Sequence, residues 1–463
     1  MKPNMSHDKP LPTSDLSSIV PAPISHGEIA GELHRNHPSS ASALENVRAL
    51  RARALERTAT PAPTVERVGI IGAGLMGTEI AAAHARRFVP VVLHDTSPAA
   101  LDRARQAIAD ELSSDLPGRQ AARFVEQLVV ASADDEPLAQ CGLVIESIPE
   151  NMAAKKRLYS GIQRRLSPHA ILVSNTSTMP IGQLAATSPD PTRFCGLHFC
   201  HPVRLRPLVE IIRGPATSET TIAAVVFHAR EQGFLPLLPE DGPGFVVNRL
   251  LSAYLGESLD LLLDGVQPAT VDAALREFGM PVGPLELADQ IGLDTVLHSA
   301  TVLSEAFGDR VVASPLIVGM VKAGQLGRKT EAGFFTYAGG EPISPAAAQP
   351  TNPQFQEILE HWSRARREYS PDAIVLRLLL PMILEATRIL EEGKVQSARE
   401  IDLAAVFGLG FPAFRGGLLW WADTLGGRAV LEGLRRLALG DRGNPTYLLE
   451  SIASSEGSFY GQG

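Results

Sequence analysis

The residues best suited to chemistry in this chain lie in or at the ends of short apolar runs. Phe194–Phe199 (FCGLHF) carries His198 near its end, and Leu208–Ile212 (LVEII) carries Glu210 in its middle. A histidine near its ordinary pKa can take a proton at neutral pH. A carboxylate on its other ring nitrogen fixes the tautomer and stabilises the imidazolium. Flanked by Leu208, Val209, Ile211 and Ile212, Glu210 needs a partner to be buried, and His198 is the partner expected. Leu143–Glu146 (LVIE) leads into Glu150, Asn151 and Lys155, and 171–173 leads into Ser174-Asn175-Thr176-Ser177. Each has a plain structural reading: a satisfied strand-end histidine, a turn serine, a helix cap. Ligands of open doubly wound sheets sit outside the carboxyl ends of the strands, however, so these residues are expected to converge on one crevice.

The frame for that crevice is announced between Val68 and Asp95. An apolar stretch (Val68, Ile70, Ile71) enters Gly72-x-Gly74-x-x-Gly77; an Ala-rich helical pattern and a second apolar stretch (Val91, Val92, Leu93) follow, ending at Asp95. Gly72 permits a tight turn, Gly74 lets the backbone approach a pyrophosphate, and Gly77 lets helix and strand pack closely. With Leu75 and Met76 they form the loop and first helical turn expected to bind a dinucleotide, whose phosphates meet the free N–H groups of the helix N-terminus. Asp95 would accept from the adenosine ribose 2′-OH. Thr96, Ser97 and Pro98 follow it with no arginine, so the cofactor expected is NAD rather than NADP.

Composition bounds the rest. The 463 residues are 44% apolar and 20% charged, with net charge -9 and pI ≈ 5.8, and no basic stripe invites nucleic acid. Cys141, Cys195 and Cys200 lack metal or disulfide spacing; no metal is called for, and the cytoplasm is the expected compartment. The best candidate membrane span, 373–384, is interrupted by Arg377 and Pro381. Residues 1–41 read as a loose tail rich in Pro, Ser, His and Asn, without the apolar core of a signal peptide. Asp8, Asp15, Glu28 and Glu32 argue against a transit peptide. Ser42-x-x-Glu45 reads as a capping box opening a helix through about Arg57, and Pro61 and Pro63 as a linker, together 42–65.

From Gly242 onward the pattern is helical and repeats. Asn248–Gly265 (NRLLSAYLGESLDLLLDG) resembles Leu376–Gly393 (LRLLLPMILEATRILEEG), pairing Arg249 with Arg377, Glu257 with Glu385 and Gly265 with Gly393 at one offset. Downstream, Phe278–Asp289 echoes Phe407–Asp423. Asn248 becomes Leu376 in the second copy, so that polar side chain is not required for packing. The first copy is expected to face the chemistry and the second to be structural.

Several motifs together are similar to the L-3-hydroxyacyl-CoA dehydrogenase family: Gly72–Gly77, Ser174–Ser177, His198-Phe199-x-x-Pro202, Leu208-Val209-Glu210 and Gly244-Phe245-Val246-Val247-Asn248-Arg249. Phe278-Gly-x-Pro281-x-Gly-Pro284 and Leu326-Gly-Arg-Lys329 continue the resemblance, which covers about 66–460. The tandem copies resemble the dehydrogenase half of the multifunctional fatty-acid oxidation α-subunit, with too little chain ahead of residue 66 for its crotonase domain. The fold implied is a Rossmann-type α/β NAD-binding domain (66–241) followed by two tandem all-α C-terminal-type modules (242–340 and 341–463). The resemblance further implies His198 as base and Glu210 as its orienter. Ser177 would bond the 3-hydroxyl, Asn248 the substrate or the histidine loop, and Glu150 and Lys155 would lie near the nicotinamide ribose. The family's His-Phe-Phe-Asn-Pro is here His198-Phe199-Cys200-His201-Pro202. The resemblance would place an ionisable His201 beside nicotinamide and substrate. The helix after Asp95 is poor in lysine, keeping Arg103 and Arg105 but with Glu111 on the same face.

The activity implied is NAD-dependent oxidation of an (S)-3-hydroxyacyl-CoA, of fatty-acid β-oxidation type, to the 3-oxoacyl-CoA. A carrier-protein thioester, as in secondary metabolism, is the alternative that the sparse basic residues leave open. A dehydrogenase of a non-thioester hydroxy acid, of the L-gulonate type, is another. A non-catalytic NAD-binding scaffold for a thiolase or hydratase partner is a third, and such a partner is also expected for the enzyme. The tandem copy should satisfy within one chain the contact that makes single-module relatives dimers, giving a monomer.

Overall fold

The computed structural model describes residues 40–56, 65–113, 118–339, 341–342, 352–364 and 366–462. The tail 1–39, the linker prolines Pro61 and Pro63 and Arg57 lie outside them. The first helix, α1, is Ser40–Ala54. It starts two residues before the expected cap and stops short of Arg57, so Ser42 lies inside it. Its extent follows the stripe Ala43, Val47, Leu50 and Ala54, which is buried against the helical modules.

Eight short apolar strands form one sheet: β1 (Val68–Ile71), β2 (Val91–His94), β3 (Val129–Ser132), β4 (Leu143–Glu146), β5 (Ile171–Ser174), β6 (Phe194–Phe199), β7 (Leu208–Arg213) and β8 (Leu235–Leu237). Their spatial order is β3-β2-β1-β4-β5-β6-β7-β8. β1 to β6 run parallel, β7 is antiparallel to β6, and β8 is parallel to β7. The parallel strands are continuous hydrophobic runs because both faces are covered. One face packs on α2 (Leu75–Arg86), α3 (Pro98–Leu112), α4 (Gly118–Leu128) and α7 (Glu219–Glu231). The other packs on α5 (Met152–Ile162) and α6 (Ile181–Ala185).

The antiparallel step at β7 bears directly on the chemistry. Glu210 stands in mid-strand, not at a carboxyl end as the doubly wound rule would have it. The reversed strand sets it directly across from His198. Residues facing each other across an antiparallel pair share one face of the sheet.

The helical half is two copies of one arrangement. The first holds α8 (Val247–Leu263), α9 (Pro268–Phe278), α10 (Pro284–Ile291), α11 (Leu293–Phe307) and α12 (Pro315–Lys322). Next comes α13 (Pro353–Trp362), which packs on α12 and on Phe334 of the first copy. The second copy holds α14 (Pro371–Glu391), α15 (Ala398–Leu403), α16 (Leu418–Leu425), α17 (Gly427–Arg436) and α18 (Tyr447–Ser455). Buried aspartates repeat with the fold. Asp272 accepts the N–H groups of Leu285 and Glu286 at the start of α10; Asp402 does the same for Leu419 and Trp420 at the start of α16. Asp289 accepts from the Phe334 and Phe335 N–H groups, and Asp423 from those of Phe459 and Tyr460.

The two long helices, α8 and α14, pack together, and the repeated charges cross between them. Arg249 pairs with Glu385 at 2.6 Å, and Arg377 with Glu257 at 2.8 Å. Each buried guanidinium thus finds its carboxylate on the other copy, a self-complementary contact of the kind a twofold dimer makes.

On one face of the sheet, α2 and α7 are joined by a buried pair of histidines. His84 Nδ1 donates to the Ile80 carbonyl at 2.7 Å, so the neutral ring accepts at Nε2 from His228 Nε2, 3.1 Å away. Burial pushes His84 down to about 4 and His228 down to about 3. The unfolded chain therefore binds protons below pH 6.5 that the folded one refuses, and stability falls as pH drops from 6.5 to about 4. The slope is up to about 1.4 kcal/mol per pH unit for each ring. Urea midpoints at pH 7 and pH 5 check this: the double variant His84→Leu/His228→Phe is expected to lose less stability on acidification than the unaltered chain.

Candidate active site

The Gly-rich turn has the form a dinucleotide needs. Gly72 sits at φ +107, and a Cβ there would fall 2.6 Å from the Ser147 carbonyl oxygen; one on Gly77 would fall 1.8 Å from that of Gly72. Gly74 is different: nothing lies within 4 Å of its Cβ position, so the backbone is open to a ligand at the N-terminus of α2. Asp95 follows β2 and accepts from the Ala73 N–H at 2.9 Å and the Ser97 N–H at 2.8 Å, which ties the turn to the acid. Gly72, Gly74, Leu75, Met76 and Asp95 all line one cavity of about 920 Å3. The open backbone, the helix N-terminus and the acid suit NAD.

His198, Ser177, Asn248, Glu150 and His201 line the same cavity. His198 Nδ1 lies 2.7 Å from Glu210 Oε2, which leaves Nε2 as the ring nitrogen for a ligand. Glu210 is wholly buried. Its Oε1 accepts the N–H groups of Val246 and Val247 at 2.9 and 3.2 Å. Those are orphan donors at the start of α8, where the helix dipole favours a negative charge. The end of β6 is fixed by the Phe199 N–H, which donates to Asn175 Oδ1 at 2.9 Å.

A second network holds Ser177. Glu150 Oε1 accepts from the Ser177 N–H at 2.7 Å, the Ser177 hydroxyl at 3.2 Å and the Thr176 hydroxyl at 2.7 Å. Asn248 Nδ2 donates to the Ser177 carbonyl at 2.7 Å, so Asn248 braces the serine loop rather than the histidine loop. Lys155 does not reach the cavity. It is buried on α5, its ammonium held by Glu146 at 2.6 Å, Glu150 Oε2 at 3.3 Å and the Ile148 carbonyl at 3.2 Å. Burial would raise the Glu150 carboxyl, but Lys155 and the donors from Thr176 and Ser177 outweigh it and hold it below the ordinary carboxylate range. Glu150 is therefore an anion at neutral pH, and its hold on the serine loop is lost only in acid.

Three features escaped the sequence reading. Glu146, wholly buried, accepts from Lys155, Ser174 and Tyr159 and anchors this network; an acid ending the apolar run LVIE was a signal of the kind that marked Glu210. Glu79, on α2, lies 3.0 Å from His201 Nδ1 and accepts from the Val203 N–H at 2.9 Å. No local pattern marks it, since the two residues are far apart in sequence. The second helical copy is also more than structural. Pro381, Glu385, Arg388, Gly408, Leu409, Leu439 and Arg442 line the cavity, because the pairing of α8 with α14 brings that copy over the first. Of the residues after Asp95, Arg103 lines the cavity, whereas Glu111 turns to Arg86 at 2.8 Å.

The family model for the 3-hydroxyacyl-CoA dehydrogenase NAD-binding domain matches residues 67–241, and that for the C-terminal domain matches twice, over 244–337 and 374–456. The chain belongs to the 3-hydroxyacyl-CoA dehydrogenase family. It is thus an NAD-dependent oxidoreductase with a duplicated C-terminal domain. Among solved structures it is similar to 3-hydroxybutyryl-CoA dehydrogenase from Escherichia coli K12, at 26% identity and TM-score 0.71, over 85% of this chain and 99% of that one. The (S)-3-hydroxybutyryl-CoA dehydrogenase of Ralstonia eutropha is 36% identical over 59% of this chain and 100% of its own, TM-score 0.54. The dehydrogenase part of a multifunctional enzyme from Caenorhabditis elegans shares the fold at 22% identity and TM-score 0.61, over 89% and 99%. No described helix is long and apolar enough to cross a membrane.

The glycines of the dehydrogenase separate cofactor contact from packing. Gly77→Ala would drive a methyl into the Gly72 carbonyl and is expected to lower the thermal midpoint and abolish NAD binding together. Gly74→Ala meets no protein atom. It should cost about 1 kcal/mol or less of stability as a poorer helix cap while weakening NAD binding at least tenfold. Calorimetry and NADH fluorescence titration read the two effects separately.

Proposed function

We propose that this dehydrogenase oxidises the 3-hydroxyl of an (S)-3-hydroxyacyl thioester, with CoA as carrier, to the 3-oxoacyl thioester. The observation that carries the reading is the His198–Glu210 pair, anchored on the start of α8 and opening into the cavity that holds the glycine turn. His198 Nε2 takes the hydroxyl proton, and Glu210 at Nδ1 fixes the tautomer and balances the imidazolium. NAD supplies the hydride acceptor for C3. The Ser177 hydroxyl and the protonated His198 then donate to the carbonyl oxygen as it forms. Asn248 and Glu150 act as positioning residues that keep Ser177 in reach, with Lys155 behind Glu150. Arg103 offers a handle for a CoA phosphate, and the turn of Glu111 away from the cavity removes one objection to CoA. The 3-oxo product is the substrate class of a thiolytic enzyme and the 3-hydroxy substrate the product class of a hydratase, so partners of those activities are natural ones.

Turnover is followed as NADH formation on short-, medium- and long-chain (S)-3-hydroxyacyl-CoA. His198→Ala and Glu210→Gln are each expected to lose about 10²- to 10⁴-fold in kcat while NAD still binds. Turnover by Glu210→Gln at the unaltered rate would remove the dyad from the reaction.

The crossed pairs Arg249–Glu385 and Arg377–Glu257 occupy, inside one chain, the self-complementary face of α8. A monomer is expected by light scattering at micromolar concentration. A dimer joined through α8 would contradict it.

A further inference from the structure

Arginines reach the cavity from several elements, and most are neutralised by carboxylates. Arg249 and Arg310 pair with Glu385 and Glu392, Arg388 with Glu385, and Arg442 with Asp260. Arg103 is exposed on α3. Arg206 is unlike these. It stands in the loop between β6 and β7, partly buried in the cavity wall. Among the described residues no carboxylate lies within ion-pair distance, and no acceptor takes its guanidinium N–H groups.

The fold makes room for this cation. Gly410, at φ +81 just after the π-helical turn Ala404–Leu409 of the second copy, lies against it, and a Cβ there would fall 1.9 Å from Nη1. The guanidinium is thus partly shielded from water with no counter-charge among the described residues, and its donors are left open to the cavity. The missing anion is then one that a ligand brings. Alternation puts Cys200 on the sheet face of His198, and Leu208 on that of Glu210. A Cβ on Gly408 would meet Leu208 at 2.9 Å and Cys200 at 3.6 Å, so the line from His198 past Cys200 to Arg206 leads toward the second copy. It leads away from Asp95, which follows β2, separated from β6 by three strands of the sheet. The wall also offers Leu251, Leu255, Leu259 and Leu409, a surface for methylene groups.

Resting on the function proposed above, we propose that Arg206 anchors a carboxylate at the far end of the acyl group. The preferred substrates are 3-hydroxyacyl thioesters that end in a carboxylate. A guanidinium takes a carboxylate through two parallel N–H donors, which fixes the chain end as well as its charge.

The full chain is assayed by NADH formation on (S)-3-hydroxybutyryl-CoA, (S)-3-hydroxyoctanoyl-CoA, and the six- and eight-carbon 3-hydroxyacyl-CoAs that end in a carboxylate. The unaltered chain is expected to favour the carboxylates. Arg206→Met should lose about 10- to 100-fold in kcat/KM on them, through KM. It should stay within about twofold on the butyryl ester, with unchanged NAD affinity, and Arg206→Lys should recover part of the loss. Should the methionine variant unfold, Arg206→Gln takes the same measurements. Equal loss on every ester would assign the anion to CoA and overturn the proposal, as would undiminished turnover of the carboxylates. Turnover of neutral esters alone by the unaltered chain would overturn it and leave the function standing. Failure on all thioesters would remove both.

Discussion

One buried carboxylate ties His198 to the meeting of the sheet and the helical half. Glu210 has no water to solvate it and would be costly as an anion without donors. It finds them on two sides: the imidazole of His198 across the antiparallel pair, and two backbone N–H groups at the start of α8. The first comes from the sheet and the second from the helical half. The orientation of His198 therefore depends on the two halves being closed on each other, and neither half alone would hold it.

The same logic governs Ser177. Its loop leaves β5, but the groups that hold it come from elsewhere: Glu150 after β4, and Asn248 on α8. Behind Glu150, the Lys155–Glu146 pair is sealed in the sheet domain. Charge in the interior is thus used where a loop must be held still, each ion meeting a counter-ion or several donors. Among the described residues Arg206 has no such partner.

The duplicated helices contribute in two ways. Packing α8 on α14 with crossed arginine–glutamate pairs buries the two long helices against each other within one chain. It also brings the second copy's α14, its π-helical turn and Arg442 to the cavity wall. A copy that lost Asn248's counterpart to Leu376 kept a place at the site through shape rather than through catalytic residues.

Local rules were enough for six of the eight strands (not β3 or β8), the Gly72–Gly77 turn, Asp95, the repeat, and the expectation that a glutamate in LVEII must meet His198. Each rests on periodicity, on glycine's conformational freedom or on the cost of an unpaired buried charge, all readable along the chain. The donors of Val246 and Val247 to Glu210, the pairing of His201 with Glu79, the bracing of Ser177 by Asn248 and the burial of Lys155 were not readable there. Those contacts join residues from different elements, and which side chains meet depends on how sheet and helices dock. The reversal of β7 is the clearest case. The pattern LVEII is the same in a parallel or an antiparallel strand, but only the antiparallel register sets Glu210 across from His198. The chain itself determined that the acid needed a partner; the direction of one strand and the docking of one helix decided how it was held.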